Sequence, residues 1–206
     1  MRSVSAVVLS AFVFAIAGQA HAIPFVGIQN GSFEDEMTGW TVSGGGIDRL
    51  NVSEWQASNG DWSVDLNAFS PGAVDQTFDT VIGHYYVISF DLSGNPDGNL
   101  PYLKTLDVLI SGSSLNSGGV WAYSYDTSIA GNTHADMKYL PHAIGFFADS
   151  SSTNLKFEST TTAGAGTSGP VIDNVTVVPE PSTMLLFATG LAGIAGSRRK
   201  VKNRGR

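Results

Sequence analysis

Between residues 25 and 178 apolar and polar positions tend to alternate, rather than recurring every three or four. A period of two is the mark of strands buried on one side. Tyr86, Ile88, Phe90 and Leu92 alternate with Val87, Ser89 and Asp91. Leu106, Val108 and Ile110 alternate with Thr105, Asp107 and Leu109, and Trp121, Tyr123 and Tyr125 with Ala122, Ser124 and Asp126. Shorter runs fall at 64–66, 74–78, 144–148 and 155–157, and residues 171–178 close the set. Gly, Ser, Thr, Asn and Asp punctuate these runs, as turns require. The pattern predicts about eight to nine strands, with residues 94–101 and 112–119 as loops at their ends. An apolar face of that size must be covered by a second sheet, so an all-β sandwich in one domain is expected, over residues 23–177.

The two ends depart from this pattern. Residues 1–22 open with Met1-Arg2, run apolar from Val4, and finish Ala20-His21-Ala22. That order is a secretory signal peptide, a helix cut before Ile23 by a signal peptidase after passage through the Sec translocase. Residues 178–206 contain Val178-Pro179-Glu180-Pro181, an apolar run from Met184 to Gly196, and a basic cluster with Arg198, Arg199 and Lys200. As a short helix the run reaches roughly 20 Å, less than a hydrocarbon core of about 30 Å. Basic residues stay on the cytoplasmic side, which places the preceding domain on the export side. Extended to its Ser and Thr flanks the run could span only marginally, as a single-pass anchor.

Composition narrows the function. The chain has 206 residues and no cysteine, so no disulfide braces the fold. Residues 23–178 carry four Lys and Arg against seventeen Asp and Glu, a net charge of −13. Such a surface repels phosphate backbones and anionic lipid, which argues against nucleic-acid binding. It would tolerate divalent cations.

Val178-Pro179-Glu180-Pro181-Ser182, followed by a Leu/Gly/Ala run and Arg198-Arg199-Lys200, resembles the PEP-CTERM sorting signal of exopolysaccharide-producing Gram-negative bacteria. The resemblance implies recognition of Pro179, Glu180 and Pro181 by an exosortase-type transpeptidase, removal of the tail, and release or attachment at the cell surface or in an extracellular matrix. A second set of residues runs in order through the middle: Asn30-Gly31-Ser32-Phe33-Glu34, Gly39-Trp40, Gly60-Asp61-Trp62-Ser63, Gln76-Thr77-Phe78, Ser89 to Asn95, and Asp173-Asn174-Val175. It is similar to the choice-of-anchor C and DUF642 group. That likeness implies the jelly roll of galactose-binding-like domains, related to carbohydrate-binding modules.

Three chemistries are then open. In related modules the acid after the first Phe approaches the acid of the last strand, which implies a structural Ca2+ held by Glu34 and Asp173. The alternative is that both accept main-chain hydrogen bonds, as acids at turns do. Extracellular polysaccharide is the expected ligand, because sugars stack apolar C–H faces on aromatic rings beside polar side chains. Trp55, Gln56, Arg49 and Tyr102 are the candidates, Trp55 foremost because its neighbours are polar. Hydrolysis would need two opposed carboxylates. Acids are abundant, but no zinc-binding His spacing and no Gly-x-Ser-x-Gly elbow is present, so no catalytic residue is named. The reading is a non-enzymatic, exported polysaccharide-binding protein, with a structural matrix protein lacking a ligand as the alternative and a glycan-processing enzyme behind both.

Overall fold

A computed structural model describes residues 27–97, 100–112, 119–161 and 167–180. The signal segment lies outside these residues, as do the apolar tail, Pro181, Arg198, Arg199 and Lys200. The elements are β1 (Thr41–Gly44), β2 (Asp48–Asn51), β3 (Trp62–Asp65), β4 (Gly72–Asp79), β5 (Tyr85–Gly94), β6 (Leu103–Ser111) and β7 (Val120–Asp126). After β7 come a one-turn helix α1 (Thr127–Ala130), then β8 (Leu140–Phe147), β9 (Ser152–Ser159) and β10 (Pro170–Pro179). Two five-stranded sheets result, ordered β1-β4-β9-β6-β7 and β2-β3-β10-β5-β8, and every neighbouring pair is antiparallel. This is the expected jelly-roll sandwich, with ten strands among the described residues rather than eight or nine.

The alternating rows fill the space between the sheets. Ile88, Phe90 and Leu92 of β5 meet Leu106, Val108 and Ile110 of β6, and each is at most 1% exposed. Phe157 and Tyr123 pack edge-on against Phe90, with ring centres 5.0 and 5.3 Å away. Burial of such side chains is worth about 1.5–3 kcal/mol each, the main force holding the layers together. α1 is short because both ends are capped. Asp126 accepts hydrogen bonds from the main-chain N–H groups of Ser128 and Ile129, and Gly131 at φ +58° ends the turn. Among the described residues no helix is long and apolar enough to cross a membrane.

The N-terminal turn closes the sandwich. Asn30 Nδ2 donates to the carbonyls of Asp35, Glu36 and Thr38, and Asn30 Oδ1 accepts from the Asp35 N–H. Trp40 Nε1 donates to the Asn30 carbonyl at 3.0 Å, and Val175 N donates to the Gly31 carbonyl at 2.8 Å. A Cβ on Gly31 would collide with the Val175 carbonyl, so glycine is required there.

Candidate functional site

Antiparallel register gathers one set of strand ends together. Leu103 pairs with Asp126, Pro170 with Gly94, Val171 with Asp65, and Leu92 with Leu140. The connections that leave these ends form a loop end, and a buried carboxylate organises it. Asp65, fully buried at the end of β3, accepts from Asn67 N at 2.8 Å, from Gly169 N at 3.0 Å and from Asn95 Nδ2 at 2.7 Å. Three separate connections are thereby fastened to one side chain. Burial pushes the Asp65 carboxyl up to about 7, against the pull of these donors. Lys104 is also buried, and its Nζ donates to the Ser168 carbonyl at 3.1 Å. Burial lowers its pKa, while the charges of Asp65 and Asp97 oppose the drop.

The network runs outward from Asp65 to the surface. Asn95 Oδ1 accepts from Asp97 N at 2.9 Å, and Asp97 Oδ1 lies 2.6 Å from His134 Nε2. Both side chains of that pair are about half exposed. Two more buried oxygens at this end, Asn67 Oδ1 and Asn132 Oδ1, accept from no group among the described residues. Exposed rings sit on the same connections. Phe69, at the tip of the turn framed by the Asn67–Pro71 bridge, is 85% exposed, and Tyr102 is 45% exposed. Tyr102 is held from behind, its carbonyl accepting from Thr127 N and Oγ1, each at 3.1 Å.

The structure separates the four ligand candidates. Trp55 is only 4% exposed, which corrects the expectation of an open sugar platform. The segment between β2 and β3 folds over the outer face of the second sheet, where Trp55 packs with Met137 and Val171 and donates from Nε1 to Ser63 Oγ at 3.0 Å. Gln56 is exposed yet engaged, donating N–H to the His134 carbonyl and accepting from Met137 N at 3.0 Å. It clamps the segment that carries His134. Arg49 lies with its guanidinium 3.5 Å from the Trp62 ring centre and donates to the Phe33 and Glu34 carbonyls. It secures the N-terminal turn. Tyr102 alone of the four presents a ring to solvent at the loop end.

Glu34 and Asp173 do reach the same segment, from opposite ends. Glu34 Oε1 accepts from Asp61 N and Trp62 N, both at 2.9 Å, and Asp173 Oδ2 from Ser58 N and Asn59 N at 2.7 and 2.8 Å. Asp173 Oδ1 accepts from Asn174 N at 2.6 Å. Three of the four carboxylate oxygens thus face N–H donors. As folded, both carboxylates take the main-chain hydrogen bonds of the alternative reading. Among the described residues no group of three or more His, Asp or Glu side chains is placed to hold a metal.

Phe69, Asp97 and His134 escaped the sequence reading. Phe69 lies in Asn67-Ala68-Phe69-Ser70-Pro71-Gly72, where turn residues around an isolated aromatic were the available signal. The pairing of Asp97 with His134 spans 37 residues and left no such trace. The outer face of the first sheet is a different surface. Asn154 Nδ2 donates there to Asp75 and Thr77, and Lys156 pairs with Glu158 at 3.0 Å. Its outward rows, such as Thr105, Asp107 and Leu109 beside Ala122 and Ser124, present no aromatic ring among the described residues.

Comparison with known proteins agrees with this architecture. The family described as a protein of unknown function, DUF642, matches residues 28–178, and the PEP-CTERM protein-sorting motif matches residues 177–200. Halomucin of Haloquadratum walsbyi is 28% identical over 174 residues, which is 73% of this chain and 2% of halomucin. The chain thus spans a very small part of that relative. Among solved structures, TmCBM61 in complex with β-1,4-galactotriose superposes with a TM-score of 0.54 at 16% identity, covering 74% of this chain and 97% of that one. A family 16 carbohydrate-binding module gives 0.48 at 14% identity, over 73% and 98%. At 16% identity the likeness to TmCBM61 is one of fold.

Proposed function

This chain belongs to the DUF642 family, and from that premise, its sorting motif and its loop end, we propose that it is an exported surface protein whose sandwich binds polysaccharide through that end. Sec export and signal peptidase release the domain outside the cytoplasm. The apolar tail then lodges in the inner membrane until an exosortase-type enzyme acts at Pro179-Glu180-Pro181, delivering the domain to the cell surface or matrix of a Gram-negative host. The role is binding rather than catalysis. Two of the acids a hydrolase could draw on are engaged elsewhere, Glu34 with main-chain N–H groups and Glu158 with Lys156.

The observation that carries the binding reading is the exposure of Phe69 and Tyr102 on connections fastened to buried Asp65. Stacking needs rings that are open and fixed, and the outer face of the first sheet offers none among the described residues. Asp97 and His134 add acceptor and donor for hydroxyls. The net −13 of residues 23–178 disfavours uronic acids, so the ligand class is a neutral polysaccharide. A galactan is the first probe, because the fold relative TmCBM61 was solved with a galactotriose.

Affinity electrophoresis of the exported chain through gels containing galactan, other neutral glycans and uronate polymers tests this. Retardation by a neutral glycan is expected. Tyr102→Ala and Phe69→Ala should each weaken it on the order of tenfold, the effect of about 1.4 kcal/mol of lost stacking. Mobility unchanged in every gel would overturn the reading in favour of a matrix protein without a ligand.

A further inference from the structure

The sorting motif does not begin as a free tail. Pro179 is the last residue of β10 and pairs with Tyr86 of β5, and the Glu180 N–H donates to the Tyr85 carbonyl at 2.9 Å. Whatever positions the chain just beyond Glu180 therefore also positions this corner of the second sheet. The corner is apolar. Val81, Ile82 and Val178 are 45%, 65% and 50% exposed, and Tyr85 and Phe147 are 38% and 40% exposed with ring centres 4.9 Å apart. Val178 stands opposite Val87, and Val87 opposite Gly145. The Tyr85 phenol lies across the place where a Cβ on Gly145 would be, so the ring spreads over the sheet instead of standing away from it.

We infer that this corner rests on the outer surface of the inner membrane while the tail is inserted, so that Val81, Ile82, Tyr85, Phe147 and Val178 form a lipid-contacting base beside the sorting motif. The inference rests on the membrane-inserted tail proposed above. Chain length carries it. The apolar run from Met184 to Gly196 rises roughly 20 Å as a helix, about 10 Å less than a hydrocarbon core. With the basic cluster held on the cytoplasmic side, the start of the run lies below the outer boundary of the core. Only residues 181–183 separate it from Glu180, and four Cα steps span at most about 14 Å. The shortfall consumes most of that reach, which draws Glu180 and the Tyr85 strand to the interface. Tyrosine beside aliphatic side chains suits that depth. The flanking Asp79, Asp149 and Glu180 are acidic, so the contact is apolar and does not depend on anionic lipid.

The absence of cysteine makes the test direct. Ile82→Cys and, at the opposite end, Ile129→Cys would each carry a polarity-sensitive fluorophore on the exported chain, residues 23–206, mixed with phosphatidylcholine vesicles. The chain should float with the vesicles. The Ile82 probe should shift to the blue and be quenched by brominated acyl chains at least threefold more than the Ile129 probe. A double Tyr85→Ser, Val178→Ser variant should still float and melt as before, yet lose most of that difference. If the chain floats and both probes are quenched alike, the base does not touch lipid and the proposal fails while insertion stands. If the chain does not float, the insertion reading fails and takes this one with it. An Ile82 probe already shielded without vesicles, in a chain that sediments as a dimer, would make a second copy the occupant and overturn the membrane contact.

Discussion

Asp65 and Asp173 are both fully buried, and in each burial pushes the carboxyl from an ordinary value of 3.8 up to about 7, although main-chain N–H groups pull the other way. The folded chain therefore keeps two protons that the unfolded chain releases once the pH passes 4. These two groups make stability fall as pH rises through that window, with their loss complete above about 7, and outweigh the opposite contribution of His142, whose pKa burial lowers. At about 1.4 kcal/mol per pH unit, the interval from 3.8 to about 7 corresponds to on the order of 4 kcal/mol for each group. Asp65→Asn removes one of the two contributions. It also turns an amide NH2 toward the N–H of Gly169 or Asn95 Nδ2, which leaves a buried donor mispaired and costs about 1–3 kcal/mol even at pH 5. Urea unfolding followed by tryptophan fluorescence at pH 5 and pH 8 measures both effects. The native chain should have the lower midpoint at pH 8, and Asp65→Asn should show about half that difference together with a lower midpoint at pH 5. A native midpoint that is flat or rises between pH 5 and 8, or a variant that keeps the full difference, would refute the reasoning.

Trp55→Ala should lower stability by about 3–5 kcal/mol through the cavity it leaves beside Met137 and Val171. Trp55→Phe, which loses chiefly the bond to Ser63, should cost about 1–2 kcal/mol and leave glycan affinity within twofold, both read from urea titrations and affinity gels. Chelation should leave the melting midpoint unchanged. A fall reversed by calcium and abolished by Glu34→Gln would show that the loop at residues 58–62 rearranges to hold the ion. Asn30→Ala should lower stability by about 2–3 kcal/mol, because one amide closes the N-terminal turn through four hydrogen bonds, and hydrogen exchange should rise first at Asp35 and Trp40.

The sandwich was legible where one face of a strand is buried along its length, as in β5 and β6, whose apolar rows point inward as the alternation implies. β1 and β2 were not. Thr41-Val42-Ser43-Gly44 is exposed throughout and Asp48-Arg49-Leu50-Asn51 is half-buried throughout, so neither has a period to read. Trp55 misled for a related reason. Polar neighbours along the chain say nothing of what folds back over a residue, and Ser63 and Met137 supply its partners from elsewhere. The residues that carry the family likeness prove to be those that hold the fold. Asn30 and Gly31 close the first turn, a Cβ on Gly60 would lie 2.5 Å from Glu34 Oε1, and Asp173 and Asn174 sit at the irregular step of β10. Those motifs therefore point to the architecture, while Phe69, Asp97 and His134 lie in the connections between them.

The loop end as the place of polysaccharide contact is tested most directly by backbone amide shifts of the exported chain, titrated with the neutral oligosaccharide that its affinity gels select. The account predicts shifts concentrated in residues 66–71, 95–97, 100–102 and 131–139, with Phe69 and Tyr102 among the largest. Shifts confined to Asn154, Lys156 and Glu158 on the outer face of the first sheet, or centred on Tyr85 and Phe147, would contradict it.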